Sequence, residues 1–279
     1  MKRRTFLKAG LGVGAAIGLG GLYTWQIEPF WLEFVQVDMP IKNLPQEHIG
    51  KTLMQISDIH VGNRFPHQHL LDSFEKAKSL HPDWVVYTGD YTHFENEEQY
   101  SQLQKVIKSA VKGRLGTFGV LGNHDYGHGW SMQEVSDTTT EILEKSGIQV
   151  LRDQKTESEG LIIYGFEDLW GLNFGPENLM ASLDPSQANL VLCHNPDACD
   201  LPIWNGYQGW ILSGHTHGGQ VKPPFLPAPI LPVKNRKYNQ GKIEVDSDRT
   251  LYINRALGHL VPIRFNVRPE ITLFTLRQA

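Results

Sequence analysis

Residues 117–125 read TFGVLGNHD. The uncharged run Thr117 to Leu121 has the length of a buried strand. Gly122 ends it, and an amide, an imidazole and a carboxylate follow at once: Asn123, His124 and Asp125. The pattern recurs along the chain. Leu53–Ser57 is followed by Asp58 and His60, and Trp84–Thr88 by Gly89-Asp90. Leu190–Cys193 is followed by His194, and Trp210–Ser213 by Gly214-His215-Thr216-His217-Gly218-Gly219. Between the early runs lie amphipathic stretches. One carries Leu70, Leu71, Phe74 and Ala77 on a stripe, and the next carries Tyr100, Leu103, Val106, Ile107 and Ala110. A third ends in Ile142-Leu143 with Gly147 as its stop. Strand and helix alternating at this spacing predict right-handed crossovers and a largely parallel sheet, hence an α/β fold. Leu161–Phe166, Leu251–Asn254 and Ile271–Leu276 are further strand candidates. Helical patterns fade toward the C-terminus, which predicts a sheet system that is partly mixed or antiparallel.

The C-terminal ends of parallel strands share one edge, where α/β ligands bind, so these donors are expected to converge. Asp, His and Asn supply oxygen and nitrogen without thiolate, which suits Mn, Fe or Zn, with Mn favoured. A single ion needs three or four protein ligands. Asp58, His60, Asp90, Asn123, His194, His215 and His217 exceed that, which argues for two ions sharing a bridging carboxylate. Asp90 is the best bridge, because Gly89 lets its backbone approach closely. Residues two apart in an extended segment project the same way, so His215 with His217, and Asp58 with His60, are expected to point together.

In order and relative spacing, Asp58-Ile59-His60, Gly89-Asp90, Gly122-Asn123-His124-Asp125, His194 and Gly214-His215-Thr216-His217 resemble the motif series of the calcineurin-like metallophosphoesterase superfamily, over roughly residues 50–275. Ile27-Glu28-Pro29, Gly218-Gly219-Gln220, Ile263-Arg264-Phe265 and Pro269-Glu270-Ile271 are similar to one bacterial, membrane-anchored branch of it. Ala256 departs from that pattern, where glycine is expected. The resemblance implies a four-layer α/β/β/α sandwich of two mixed sheets. It implies Asp58, His60 and His217 on one ion, Asn123, His194 and His215 on the other, and Asp90 on both. It further implies phosphoester hydrolysis by a metal-activated hydroxide. His124, directly after a ligand, is expected to face substrate as acid or electrostatic partner, with Asp125 fixing its ring.

The 279 residues allow one large domain, and 40% hydrophobic against 20% charged residues excludes global disorder. A net charge of −4 gives no basic excess to hold a nucleic acid as a stable partner. Two cysteines exclude a disulfide scaffold and a four-thiolate metal site. Residues 1–8, MKRRTFLK, are basic, and Ala9 to Gln26 carry no charge. Arg3-Arg4-Thr5-Phe6-Leu7-Lys8 resembles the twin-arginine export signal, with an ordinary anchor helix as the alternative. The expected division is a signal or anchor segment at 1–28, a linker with an incoming strand at 29–49 and a catalytic domain at 50–279. The expected location is the bacterial inner membrane with the domain outside the cytoplasm, because Lys2, Arg3, Arg4 and Lys8 precede the apolar run and Glu28, Glu33 and Asp38 follow it. Peripheral attachment to the cytoplasmic face is the alternative. Six glycines among residues 9–21 also allow a helix lying in the interface.

Several residues have plainer readings. His67, His69, His93 and His128 read as solvated, His128 least so for its place beside the 122–125 motif. Cys193 reads as a buried strand residue rather than half of a disulfide with Cys199. Trp170 reads as packing rather than a stacking wall, and the Pro-rich loop 223–232 as a cover over the core rather than the lining of a lipid-side cleft. Asp168 and Arg264 stand evenly between structural and site-edge roles. The functional expectation is a dinuclear phosphodiesterase. The alternative is a lipid-pathway pyrophosphatase acting on a UDP-2,3-diacylglucosamine-type substrate, which an exported domain would not meet. A binding module without catalysis would require lost donors, and none is lost.

Overall fold

The computed structural model describes residues 3–279. The basic start therefore lies partly outside the described residues, at Met1 and Lys2. α1 (Arg3–Leu22) is a helix, but no helix among the described residues is long and apolar enough to cross a membrane.

Two six-stranded sheets form the frame. The first holds β1 (Glu33–Ile41), β2 (Thr52–Ile56), β3 (Trp84–Thr88), β4 (Gly116–Val120), β5 (Gln149–Val150) and, from the end of the chain, β12 (Glu270–Gln278), in the order β1-β12-β2-β3-β4-β5. The second holds β6 (Gln154–Ser158), β7 (Leu161–Gly165), β8 (Ala188–Leu192), β9 (Gly209–Ser213), β10 (Gly241–Glu244) and β11 (Arg249–Ile253), in the order β10-β11-β9-β8-β7-β6. Both sheets are mixed: β2, β3, β4 and β5 are parallel, as are β7, β8, β9 and β11, while β12, β6 and β10 each add an antiparallel pairing.

Strands buried on both faces read as continuous apolar runs. Leu53, Trp84, Val86, Leu190, Leu192, Trp210 and Leu212 meet between the sheets. The alternate residues Met54, Ile56, Val85 and Tyr87 meet helices α2 (His67–Lys78), α3 (Glu98–Ile107) and α4 (Gln133–Lys145). On the far face, Val191, Cys193 and Ile211 are covered by the short α5 (Glu177–Ala181) and by turns carrying Ala198, Trp204 and Tyr238. The layers are thus α/β/β/α, with a thin fourth layer.

β5, β6 and β10 were not legible as strands. They are short and mostly polar, as edge positions favour. Residues 29–49 are more than a linker: β1 pairs with β12 along all nine residues. The buried Glu28 carboxylate accepts a hydrogen bond from Val267 N–H at 2.6 Å. Glu33 is ion-paired to Arg255 at 2.9 Å and Asp38 to Arg277 at 2.8 Å, so these acids, read as flanks of an anchor, are joined to the domain.

Candidate metal centre

The loops after β2, β3, β4, β8 and β9 meet at one end of the sandwich. Gln55 crosses between the sheets there, its amide donating to the Ser213 carbonyl at 2.9 Å. The carboxylate of Asp58 accepts from His215 N–H at 3.1 and 3.2 Å, which joins the first strand end to the last. Asp58, His60, Asp90, His215 and His217 all have positive φ, between 44° and 71°. Left-handed backbone costs a non-glycine residue about 1–2 kcal/mol and concentrates at functional sites. Glycines make the crowding feasible. A methyl at Gly214 would overlap Ser57 Oγ and Asp58 Oδ2, and one at Gly89 would lie 2.6 Å from His194 Nδ1.

Two clusters result, Asp58 with His60 and His217, and Asp90 with His194 and His215, all buried or nearly so. In the first, Nε2 of His60 and Nε2 of His217 lie 3.0 Å apart, and His217 Nε2 is 3.2 Å from Asp58 Oδ1. In the second, His215 Nδ1 lies 3.2 Å from His194 Nε2. Asp90 stands between them: Oδ2 is 3.3 Å from His194 Nε2 and 3.7 Å from His60 Nε2. Its Oδ1 accepts from His124 N–H at 2.9 Å, which leaves Oδ2 for the clusters.

Outer contacts aim the rings. His194 Nδ1–H donates to the Thr88 carbonyl at 2.6 Å and His215 Nε2–H to the Pro232 carbonyl at 2.8 Å. Such second partners fix the tautomer that turns the other nitrogen inward. His215 and His217 do not point together as an extended segment would make them. Left-handed turns at both residues send one ring to each cluster.

Burial drives the His60 and His215 pKa values down, that of His215 to about 3, where the charge of His194 adds to it. Burial also opposes charge on His194, yet Asp90 and Asp58 hold its imidazole well above the ordinary value. Asp90 is itself kept well below the carboxylate range by His194 and His124, despite its burial. This is a buried anion with positive charge drawn to it, the setting in which a cation takes the place of a proton. Asn123 Oδ1 is buried with no protein partner, as a ligand oxygen would be. The residues therefore fit two metal ions.

His60, Asp90, Asn123, His215 and His217 line a cleft of about 490 Å³ together with His124, Trp130 and Trp170. Several expectations are corrected around it. Asp125 does not orient the His124 ring. Its Oδ1 accepts from Tyr91 and Thr92 N–H at 2.9 and 3.1 Å, and its Oδ2 from Gly122 N–H at 2.9 Å, so it ties down the loop backbone. His93, read as solvated, is the neighbour of His124: their Nδ1 atoms are 3.4 Å apart. Trp170 is a wall, with ring centroids 5.1 Å from Trp130 and 4.5 Å from His215. The buried Asp168 positions it, accepting from Trp170 N–H at 2.8 Å. His69 packs against Phe30 and Phe65 rather than facing water, and His128 is exposed beside the Glu95 carbonyl. Arg264 is structural, donating to the carbonyls of Arg255, Val267, Ala256 and Gly258. That support holds the 255–258 turn with Ala256 at φ 70°, so the expected glycine is replaced without changing the hand of the turn. Cys193 and Cys199 are free and buried.

Residues 51–219 match the family model described as calcineurin-like phosphoesterase. The chain is 31% identical to the uncharacterized metallophosphoesterase YkuE of Bacillus subtilis, over 99% of this chain and 98% of that one. It is 29% identical to phosphodiesterase YaeI of Escherichia coli, over 99% of each. It is 28% identical to the UDP-2,3-diacylglucosamine pyrophosphatase LpxG of Chlamydia trachomatis, over 90% of this chain and 92% of that one.

Proposed function

The chain belongs to the calcineurin-like phosphoesterase family and is a metal-dependent phosphohydrolase, and from that premise we propose that it cleaves phosphodiesters at a dinuclear centre bridged by Asp90. The carrying observation is the position of Asp90 Oδ2, 3.3 Å from one cluster and 3.7 Å from the other. Asp58, His60 and His217 would hold one ion, and Asn123, His194 and His215 the other, with Mn the favoured ion among Mn, Fe and Zn. Divalent ions there supply Lewis acidity and lower the pKa of water.

The chain's own residues do the rest. His124, anchored through its N–H to Asp90, lines the cleft and holds a proton for the leaving oxygen or donates to a phosphoryl oxygen. Trp130 and Trp170 exclude water from one wall. Metal analysis followed by turnover of a phosphomonoester, a phosphodiester and a lipid pyrophosphate tests the reading. Two ions per chain with the phosphodiester preferred supports it, and preference for the pyrophosphate overturns it.

Location follows from the N-terminus. The basic start and the apolar, glycine-rich run to Gln26 support export of the folded domain with α1 as its retained anchor, lying in the interface. The pyrophosphatase reading needs the opposite side of the membrane, where UDP-linked precursors are made. Protease added to spheroplasts should remove the domain, and the variant carrying Arg3→Lys and Arg4→Lys should stay protected inside. Protection of the unaltered protein would refute export and favour the pyrophosphatase.

A further inference from the structure

The wall of the cleft opposite the two tryptophans is apolar and belongs to two loops, 219–232 and 260–263. Their tips do not fold over the core. Phe225 is fully exposed, and Leu226, Ile230 and Val261 are 60%, 77% and 52% exposed. Phe225 also has φ 65°, a left-handed conformation that bulky residues rarely adopt. Pro223, Pro224, Pro227, Pro229 and Pro232 fix φ at five positions of the loop and limit its freedom to tuck these side chains in.

Backbone hydrogen bonds place a third segment beside the loops. Lys222 N–H donates to the Phe265 carbonyl and Phe265 N–H to the Gln220 carbonyl, both at 2.9 Å. Arg264 N–H donates to the Thr24 carbonyl at 2.9 Å, so the turn Tyr23–Ile27 that follows α1 lies at the same rim. There Leu22, Trp25 and Ile27 are again exposed. Three exposed apolar elements from distant parts of the chain thus share the mouth of the cleft, an arrangement that marks an interaction surface rather than scattered exposure.

Charge selects the partner. The net charge is −4, yet no Asp or Glu falls within residues 1–27, 214–243 or 254–269, which hold the rim loops and their flanks. The same stretches carry Lys222, Lys234, Arg236 and Lys237, whereas Arg264 is buried and Arg268 faces Glu33 at 3.7 Å. The carboxylates at the base of the long loop are engaged: Asp197 accepts from Lys234 and Asn235 N–H, and Asp200 from Asn235 and the Tyr238 hydroxyl. Protruding apolar tips flanked by Lys222, Lys234, Arg236 and Lys237 complement an anionic bilayer, where each basic side chain near the surface contributes about 1 kcal/mol. Trp25 and Trp31 are exposed at the same rim, as side chains at a membrane interface are.

We propose that this rim is the membrane-docking face of the enzyme, seated on anionic phospholipid, and that the cleft takes a phosphodiester whose acyl tail remains in the bilayer. The docking half is independent of the reaction. The substrate half rests on the phosphodiesterase reading above.

Full-length protein carrying an environment-sensitive fluorophore at Phe225→Cys or Val261→Cys is mixed with phosphatidylglycerol vesicles, with Ser186→Cys at the opposite end of the strands as control. The native cysteines are buried and escape labelling. Expected are a several-fold rise and blue shift at 225 and 261, none at 186, and loss of the effect on pure phosphatidylcholine or at high salt. Vesicle binding with both rim labels still in water would mean that α1 binds alone and would overturn the proposal. So would failure to bind, or a shift without vesicles that grows with protein concentration, which would identify a second copy of the chain as the occupant. For the substrate half, Phe225→Ser with Leu226→Ser touches no residue lining the cleft. It should lower turnover of a vesicle-embedded phosphodiester about tenfold and leave a soluble one unchanged. Equal turnover on vesicles refutes the lipid substrate. Absence of phosphodiester turnover in the unaltered enzyme refutes the phosphodiesterase reading while leaving the fluorescence result to judge docking.

Discussion

Nδ1 of His124 lies 3.4 Å from Nδ1 of His93. No carboxylate occupies that place. His93 in turn has Nε2 3.9 Å from Glu95, which pairs with Arg64 at 3.3 Å. His93 is therefore the residue that positions the His124 ring. His93→Leu should retain both metals and lower kcat about 10–100-fold, as loss of an outer partner does. His93→Gln, which can still hydrogen-bond, should recover part of the rate. Unchanged kcat in His93→Leu would remove it from this role.

Asp125 gives the complementary outcome. It accepts three backbone N–H groups, and burial followed by the charge of Asp90 pushes its pKa up to about 8. In Asp125→Asn the side-chain NH₂ would face one of those donors. Stability should fall by about 1–3 kcal/mol, read by denaturant unfolding of the metal-free protein. Loss of rate with full stability would restore a direct catalytic role.

Asp90→Asn removes the single negative charge of the bridging side chain. The purified variant should hold well under two ions by elemental analysis and show no turnover. Two ions with normal activity would refute the bridge.

His124→Asn should keep the metals and lose about 10²–10⁴-fold in rate. A smaller loss on substrates with good leaving groups identifies the ring as the acid, and an equal loss on all of them identifies it as a phosphate-binding group. No loss would exclude it from the mechanism.

Lys112 supplies a pH-dependent test away from the site. Its Nζ is buried without a partner, and burial lowers its pKa to about 8 from an ordinary value of 10.5. The unfolded chain thus binds the extra proton between pH 8 and 10.5, so this group makes stability rise with pH across that window. Below pH 8 it is charged in both states and its penalty is fully present. Lys112→Met should raise the Tm at pH 7, with the gain shrinking as pH climbs past 8 toward 10.5. A gain independent of pH would show that packing, not the buried charge, is responsible.

The fold was legible because both sheets announce themselves. Runs such as Trp84–Tyr87 and Leu190–Cys193 are apolar at every position, which only strands buried on two faces require. β6 and β10 were hidden because an edge strand with a wet face carries no such run. β1 lies in the stretch read as a linker with an incoming strand, and its pairing with β12 makes it part of the first sheet.

The sequence by itself determined the donors. Each follows a strand end, and strand ends in this topology share an edge, so residue type and order along the chain were enough to identify Asp58, His60, Asp90, Asn123, His194, His215 and His217. How they divide is not carried by spacing: the resemblance implied it, and the tertiary structure forms the clusters Asp58 with His60 and His217, and Asp90 with His194 and His215. Spacing of two predicted that His215 and His217 point together, but both adopt left-handed backbone and enter different clusters. Only the tertiary structure decided that Asp125 faces backbone while His93 faces His124, and that the loop 223–232 turns its apolar side chains outward. These are contacts across the chain, 31 residues apart for His93 and His124 and 157 for Asp58 and His215. Local pattern encodes which side of a strand a residue takes. It does not encode which distant loop arrives opposite a turn, because packing of the whole fold supplies the energy that holds those turns in conformations their own residues disfavour.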